Sequence, residues 1–78
     1  MELKNFTYKV EKTIGTISEH GNTRKELNLI SYNGAPARYD LRSWDRTPGQ
    51  PPKMYKGLTL TEEEARLLLD LLSKELQI

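Results

Sequence analysis

The stretch Ala37-Arg38-Tyr39-Asp40-Leu41-Arg42-Ser43-Trp44 alternates between two kinds of side chain, and this alternation decides how the whole chain is interpreted. Successive side chains of a β-strand point to opposite faces of the sheet, with a period of two. One face of this strand is therefore apolar, and we expect it to join a small core. The other face is expected to point to solvent, and it holds Arg38, Asp40, Arg42 and Trp44.

An exposed indole beside arginines predicts a partner with flat rings and negative charge. Single-stranded nucleic acid is such a partner, because its bases stack on aromatic rings and its phosphates pair with guanidinium groups. The alternative is that Trp44 folds over an edge into the core and that the arginines are only solvated. The alternation alone leaves both interpretations open.

The segment before this strand predicts its neighbour in the sheet. Asn33-Gly34 is typical of a tight hairpin turn, so the strand preceding it should pair with the strand that follows. In that preceding strand, Leu27 and Leu29 have the spacing of core residues. The opposite face is predicted to carry Arg24, Glu26, Asn28, Ile30 and Tyr32.

The rest of the chain completes an α+β pattern. An isolated glycine at a change of apolar phase, Gly15, indicates a β-bulge in the first strand. A second bulge at Gly57 is expected to turn Lys56 outward, and the proline-rich segment 45–53 is expected to be a loop. The predicted fold is a four-stranded antiparallel sheet followed by one C-terminal helix, with strands at 10–19, 25–32, 37–44 and 54–60 and the helix at 62–76.

The last 18 residues have the clearest pattern. Thr61 and Glu64 have the spacing of a capping box, and apolar residues recur at helical spacing beyond them. A second apolar patch lies beside the main stripe, at Leu67, Leu71 and Ile78. Two apolar surfaces on one helix predict that one packs on the sheet and the other on a second copy. The alternative is a helix sunk deeply into its own core.

Composition limits the possibilities further. A chain of 78 residues is expected to form a single domain, with a frayed lead-in or a short edge strand at 1–9, a sheet at 10–60 and a helix at 61–78. A core this small also favours homodimerisation. The absence of cysteine fits the cytoplasm. We expect no secretory signal and no membrane span, because no suitable apolar run is present.

Charge divides the chain into two parts. Residues 1–60 contain ten lysines and arginines against six acids, together with all six aromatic residues. Residues 61–78 contain two lysines and arginines against five acidic residues. The basic, aromatic part and the acidic, leucine-rich part are therefore expected to meet different partners.

Catalysis has little support in the residues. His20 is the lone histidine and lies in a predicted turn, and no serine has a nearby histidine to activate it. The glycines form neither a P-loop nor a dinucleotide motif. We therefore expect a protein that is not an enzyme and has no metal, cofactor or small-molecule substrate.

Binding of single-stranded DNA, with RNA as a possible competitor, is the function that the residues favour. The alternative is a protein–protein adaptor whose basic face docks an acidic partner, with Trp44 as the anchor. The candidate nucleic-acid contacts are Arg24, Asn28, Tyr32, Arg38, Arg42, Trp44, Lys53 and Lys56.

Three segments resemble a known family: Tyr32-Asn33-Gly34, Tyr39 to Trp44, and Lys56-Gly57-Leu58-Thr59-Leu60-Thr61 at the helix entry. The chain is similar, over about residues 10–76, to the transcriptional positive cofactor four family, and in particular to its short bacterial members of the YdbC type. The resemblance implies a homodimer that binds single-stranded DNA without strong sequence preference.

The same resemblance implies roles for individual residues. Tyr32 matches a stacking aromatic of the family, Arg42 and Trp44 match its arginine and tryptophan on the third strand, and Lys56 matches its lysine before glycine. Two features depart from the eukaryotic members. The spacing from arginine to tryptophan is one residue shorter, and Ile30 and Asn33 stand where those members carry basic residues. The acidic regulatory arm is also missing, so coactivation of a eukaryotic polymerase is not implied.

Overall fold

The computed structural model describes residues 6–78, and the first five residues of the predicted lead-in lie outside the described part. The described residues form a four-stranded antiparallel sheet followed by one helix, which confirms the predicted α+β fold. Each element begins and ends within two residues of its predicted bounds. The elements are β1 (Tyr8–His20), β2 (Thr23–Tyr32), β3 (Arg38–Asp45), β4 (Lys53–Leu60) and α1 (Glu62–Leu76).

The strands follow one another in the sheet in chain order, so every connection between neighbours is a hairpin or a short loop. The predicted turn after β2 is present, with Asn33 and Gly34 both at positive φ (52° and 78°), angles that suit asparagine and glycine. The pairing of β2 with β3 begins only at Ile30 and Arg38, so the connection is wider than the tight hairpin that was predicted. Because β1 already begins at Tyr8, residues 8 and 9 belong to the first strand, which lies at the edge of the sheet.

Strand β1 is strongly irregular. Its pairing with β2 shifts by one residue between Val10 and Lys12, between Thr13 and Gly15, and between Thr16 and Ser18. The shift beside Gly15 is the predicted bulge, and the other two were not predicted. Each bulge adds one residue to β1, bends the strand and increases its local twist.

Strand β4 also contains a bulge, although it lies slightly earlier than predicted. The pairing with β3 shifts between Arg42 and Trp44, so the extra residue belongs to the Tyr55–Lys56 pair. Lys56 is exposed. Gly57 itself stays paired with Arg42, where an added Cβ would collide with the Cβ of Arg42 and the carbonyl oxygen of Leu41. Only glycine allows the two strands to approach so closely.

Residues that are directly opposite in an antiparallel pair share a face, and the register confirms the predicted division into two faces. We call one the leucine face, which consists of Leu27, Leu29, Tyr39, Leu41, Leu58 and Leu60. We call the other the arginine face, which consists of Arg24, Glu26, Asn28, Ile30, Tyr32, Arg38, Asp40, Arg42 and Trp44.

The burial of the two faces is the reverse of the prediction. Within residues 6–78, the fully buried side chains all belong to the arginine face, whereas the leucine face is only half-buried or exposed. The buried side chains are Glu26, Asn28, Ile30, Asp40 and Trp44.

Curvature of the sheet explains this reversal. Tyr8 pairs with Tyr32 at one end of β2, and Trp44 pairs with Arg24 at the other end. The rings of Tyr8 and Trp44 are nevertheless only 5.8 Å apart between centroids. The sheet therefore curls, with the arginine face on its inner side.

Helix α1 begins as predicted and covers the sheet poorly. The Glu64 N–H donates to Thr61 Oγ1 over 3.1 Å, and the Thr61 N–H donates to Glu64 Oε1 over 2.8 Å, which completes the capping box. No residue of α1, all of which is described, is buried, so the alternative of a deeply sunk helix is wrong. A cavity of about 350 Å³ separates the helix from the leucine face and is lined on the helix side by Ala65, Leu68, Leu69 and Leu72.

Candidate nucleic-acid interface

Trp44 lies inside the curled sheet. Its side chain is 1% exposed, with the Tyr8 ring near one part of it and the Arg46 guanidinium 4.4 Å from its ring centroid. The expected exposed indole is therefore wrong. Trp44 joins the core, as in the alternative, but Arg42 is paired with Asp40 rather than only solvated. Alternation placed Trp44 on the right face, but the curl of the sheet makes that face the inner one.

Arg42 is held by a buried carboxylate. Its Nε and Nη2 atoms donate to the two oxygens of Asp40, each over 2.7 Å, and its Nη1 donates to the carbonyl oxygen of Tyr55 over 3.0 Å. The pairing with Asp40 raises the pKa of Arg42. Because the side chain is 14% exposed and its charge is compensated by Asp40, the guanidinium of Arg42 has little capacity left to bind a phosphate group.

Tyr32 is part of the same cluster. Its hydroxyl donates to Asp40 Oδ2 over 2.6 Å, and its ring lies 5.8 Å from that of Phe6 and 6.3 Å from that of Tyr8. Burial, followed by the hydrogen bond to Asp40, raises the pKa of the Tyr32 hydroxyl above its ordinary value. The predicted stacking aromatic is thus an inner, anchored ring with other rings over it.

A second ion pair, which the sequence did not predict, joins β2 to the loop after β3. Arg46 donates from Nε to Glu26 Oε2 over 2.9 Å and from Nη2 to Glu26 Oε1 over 2.7 Å. These hydrogen bonds hold the pKa of Glu26 below its ordinary value, against the opposing effect of burial. The available signal was Glu26 itself, the lone acid that alternation placed on this face of β2.

Asn28 is buried beside this pair and donates from Nδ2 to Glu26 Oε1 over 3.2 Å. Its predicted contact with nucleic acid is wrong, because a ligand cannot reach it without opening the sheet. Asn28 Oδ1 and Trp44 Nε1 have no hydrogen-bond partner among the described residues.

The remaining predicted cations are accessible but are not gathered at one point. Arg24 and Arg38 are exposed near opposite ends of the arginine face, and Arg24 makes only a long 3.8 Å contact with Glu19. Lys53 and Lys56 are exposed on β4, where Lys53 Nζ lies 5.9 Å from the centroid of the Tyr55 ring.

Exposed aromatic rings occur where the sequence did not predict a site. Phe6 is 61% exposed, Tyr8 is about one-third exposed, and Tyr55 is exposed on β4. Phe6 and Tyr8 are two residues apart and therefore in phase for a strand, which was the available signal, although β1 itself begins at Tyr8. It was missed because the alternation around them is weak and the segment was interpreted as lead-in.

The three residues predicted at the dimer interface are all exposed: Leu67, Leu71 and Ile78. At 3.6 residues per turn, Leu67 and Leu71 lie on the side of α1 away from the cavity. The leucines that line the cavity are themselves incompletely covered.

Two further findings concern residues 6–78 only. No group of three or more histidine, cysteine, aspartate or glutamate side chains in this part of the chain could hold a metal ion. The helix in the described region is too short and too polar to cross a bilayer.

The fold and the buried ion pairs define a small α+β domain with a curled antiparallel sheet. No protein-family model matches the chain. An uncharacterized protein of Treponema pallidum is 46% identical to it over 70 residues, covering 88% of this chain and 79% of the relative. The chain belongs to the same family as that protein.

Proposed function

We propose that the protein binds single-stranded DNA with little sequence preference, along the arginine face and the edge of the sheet where Phe6 and Tyr8 lie. The observation that carries the proposal is that the rings of Phe6 and Tyr8 are accessible to solvent at one edge of the sheet, while the exposed cations Arg24 and Arg38 lie on the arginine face, to which Tyr8 belongs through its pairing with Tyr32. The resemblance to the transcriptional positive cofactor four family supports the same function.

In this proposal the residues divide into supports and contacts. The two buried ion pairs and Trp44 keep the curled sheet rigid, so they support DNA binding without touching the DNA. Exposed rings would stack on bases, with about 1–3 kcal/mol for each stacked base. The phosphates would be bound by the exposed cations Arg24, Arg38, Lys53 and Lys56.

Stacking favours unpaired over duplex DNA, because base pairing hides the faces of the bases. Each phosphate that a cation neutralises should contribute a salt-dependence slope of about 0.7 on a single strand. Fluorescence anisotropy with labelled single-stranded DNA and RNA across a salt series tests both features. Arg38→Ala should lower the slope by about one contact, whereas Glu63→Gln on α1 should leave it unchanged.

The adaptor alternative loses its anchor, because Trp44 is buried and cannot insert into a partner. A specific acidic protein that binds tightly while oligonucleotides do not bind would favour this alternative over DNA. The residues and the family resemblance both support a binding module, and the absence of cysteine supports the cytoplasm as its location.

We also propose that the protein is a homodimer formed through α1. The leucines of α1 are exposed on both sides of the helix, and the leucine face behind the cavity is incompletely covered. Monomeric proteins rarely expose a continuous apolar surface of this kind. A second copy of α1 offers an apolar surface of matching length, and stable homodimers bury about 1,200–2,000 Å² or more.

A further inference from the structure

Two accessible aromatic rings lie at the start of the described chain, Tyr8 as the first residue of β1 and Phe6 just before it. The Phe6 ring lies 6.2 Å from the Tyr8 ring and 5.8 Å from the Tyr32 ring, while Tyr8 contacts Trp44. Tyr32 is fixed in turn by its hydrogen bond to the buried Asp40. Phe6 and Tyr8, the outer rings, therefore pack against Tyr32 and Trp44, inner rings that are held in place by the core.

A side chain in the hairpin turn fixes the backbone between the two outer rings. The Thr7 N–H donates to Asn33 Oδ1 over 2.9 Å, and the Asn33 N–H donates to the Thr7 carbonyl oxygen over 2.9 Å. Thr7 lies between Phe6 and Tyr8 in the chain, so this pair of hydrogen bonds orients both neighbours. Asn33 can make them because it adopts a φ of 52°, a left-handed conformation that asparagine tolerates.

An exposed cation lies on the same face of the sheet as these rings, two strands away. Tyr8 on β1 pairs with Tyr32 on β2. In the next row of the same face, Val10 pairs with Ile30, and Ile30 pairs with Arg38 on β3. Arg38 is exposed and has no ion-pair partner among the described residues. An apolar ring surface and an exposed guanidinium on one face of the sheet suit a single strand, whose bases stack on rings and whose phosphates pair with cations.

We infer that Phe6 and Tyr8 form a stacking platform for unpaired bases, and that Asn33 is a positioning residue for this platform. The inference rests on the proposed binding of single-stranded DNA and names the part of the surface that performs it. Stacking uses the faces of the Phe6 and Tyr8 rings, and every base has a face that can stack, so the platform accepts any base.

The test compares variants in their binding to a fluorescently labelled oligodeoxythymidylate. Phe6→Ala should weaken binding by about 5- to 150-fold, with an unchanged salt slope because stacking releases no counterions. Phe6→Leu keeps an apolar contact with Tyr32 but removes the aromatic ring, and it should also weaken binding. Ile17→Ala is the matched control, because Ile17 is 59% exposed on the same strand and should have no effect.

Asn33→Gly separates positioning from a general effect on stability. Glycine accepts the positive φ at this position, so the turn is retained while the side-chain hydrogen bond to Thr7 is lost. The variant should weaken binding in the wild-type background and cause little further loss in the Phe6→Ala background, because both changes act on one platform. A role limited to stability would give the same loss in both backgrounds.

Two outcomes would overturn the inference, and they differ in what else they overturn. If the wild-type protein binds the oligonucleotide and both Phe6 variants bind equally well, the platform is wrong while the proposed function stands. If the wild-type protein does not bind single-stranded DNA at any salt concentration, the proposed function fails and the platform fails with it.

Discussion

At the scale of single residues, Trp44 is a core residue that supports the curled sheet. We expect its fluorescence emission to be blue-shifted in the folded protein, because the indole is removed from water, and to shift to the red on unfolding. Trp44→Ala should lower the free energy of unfolding by about 3–5 kcal/mol. Urea titration followed by circular dichroism measures this loss.

Tyr55→Ala is the control for Trp44→Ala. Tyr55 is an exposed aromatic on β4, so its truncation should change stability far less. Native emission at the wavelength of fully solvated tryptophan would contradict the buried position of Trp44.

The ion pair between Glu26 and Arg46 predicts a loss of stability in acid. Because Arg46 lowers the pKa of Glu26, folding favours the ionised carboxylate. The resulting stabilisation is complete above the unfolded pKa of about 4.3 and is lost as the pH falls through the lower, folded value. Glu26→Gln should be less stable than the wild type at neutral pH, and the difference should narrow in acid.

Urea midpoints at neutral pH and at about pH 3 measure this change. The exposed Glu63→Gln variant on α1 should follow the wild type at both pH values. A difference between Glu26→Gln and the wild type that stays constant from neutral pH into acid would show that the carboxylate of Glu26 does not gain from Arg46.

At the scale of the elements, the contact between β3 and β4 depends on Gly57. Alanine at this position would place a Cβ against Arg42 and the carbonyl oxygen of Leu41, so one of the strands must shift. We expect Gly57→Ala to destabilise the protein by more than the 0.5 kcal/mol or so that is typical of a harmless surface change. Thermal unfolding followed by circular dichroism measures the effect.

Gly15→Ala is a matched control in β1. A Cβ added at Gly15 meets no atom within 4 Å, and Gly15 does not have a positive φ. The variant should therefore be neutral or slightly stabilising. Equal stability of both alanine variants would refute the close approach at Gly57.

The elements were predictable because each has a local signal. The Asn33-Gly34 turn, the alternation in β2 and β3, and the capping box at Thr61 each involve residues that are close in sequence. Alternation also sorted the side chains correctly into two faces, since it depends only on the period of a strand.

Which face lies inside was not predictable, because curvature arises from several strands together. Two of the bulges in β1 have no glycine at the shift, and they help to bring Tyr8 close to Trp44. The pair of Glu26 with Arg46 spans 20 residues, so no local pattern indicated it. The spacing of Phe6 and Tyr8 was a local signal, but the support that their rings receive from the inner rings of Tyr32 and Trp44 depends on the curl of the sheet and was not predictable.

At the scale of the whole molecule, the exposed leucines of α1 predict assembly. Leu71→Glu should shift the protein toward monomer more than Leu67→Gln, because a charge at an apolar interface costs more than a neutral amide. Sedimentation equilibrium at micromolar concentration measures the mass, and the exposed Glu63→Gln variant should remain dimeric. A wild-type protein that sediments as a 9.0 kDa monomer would contradict the dimer.

The central claim is that unpaired bases are bound on the aromatic edge of the arginine face. Competition is the most direct test: a labelled single-stranded oligonucleotide is bound first, and unlabelled single-stranded or duplex DNA of the same sequence is then added. We expect the single strand to displace the probe at much lower concentration than the duplex, whatever its sequence, because only the single strand exposes base faces. Equal displacement by the two competitors, or the absence of initial binding, would contradict the claim.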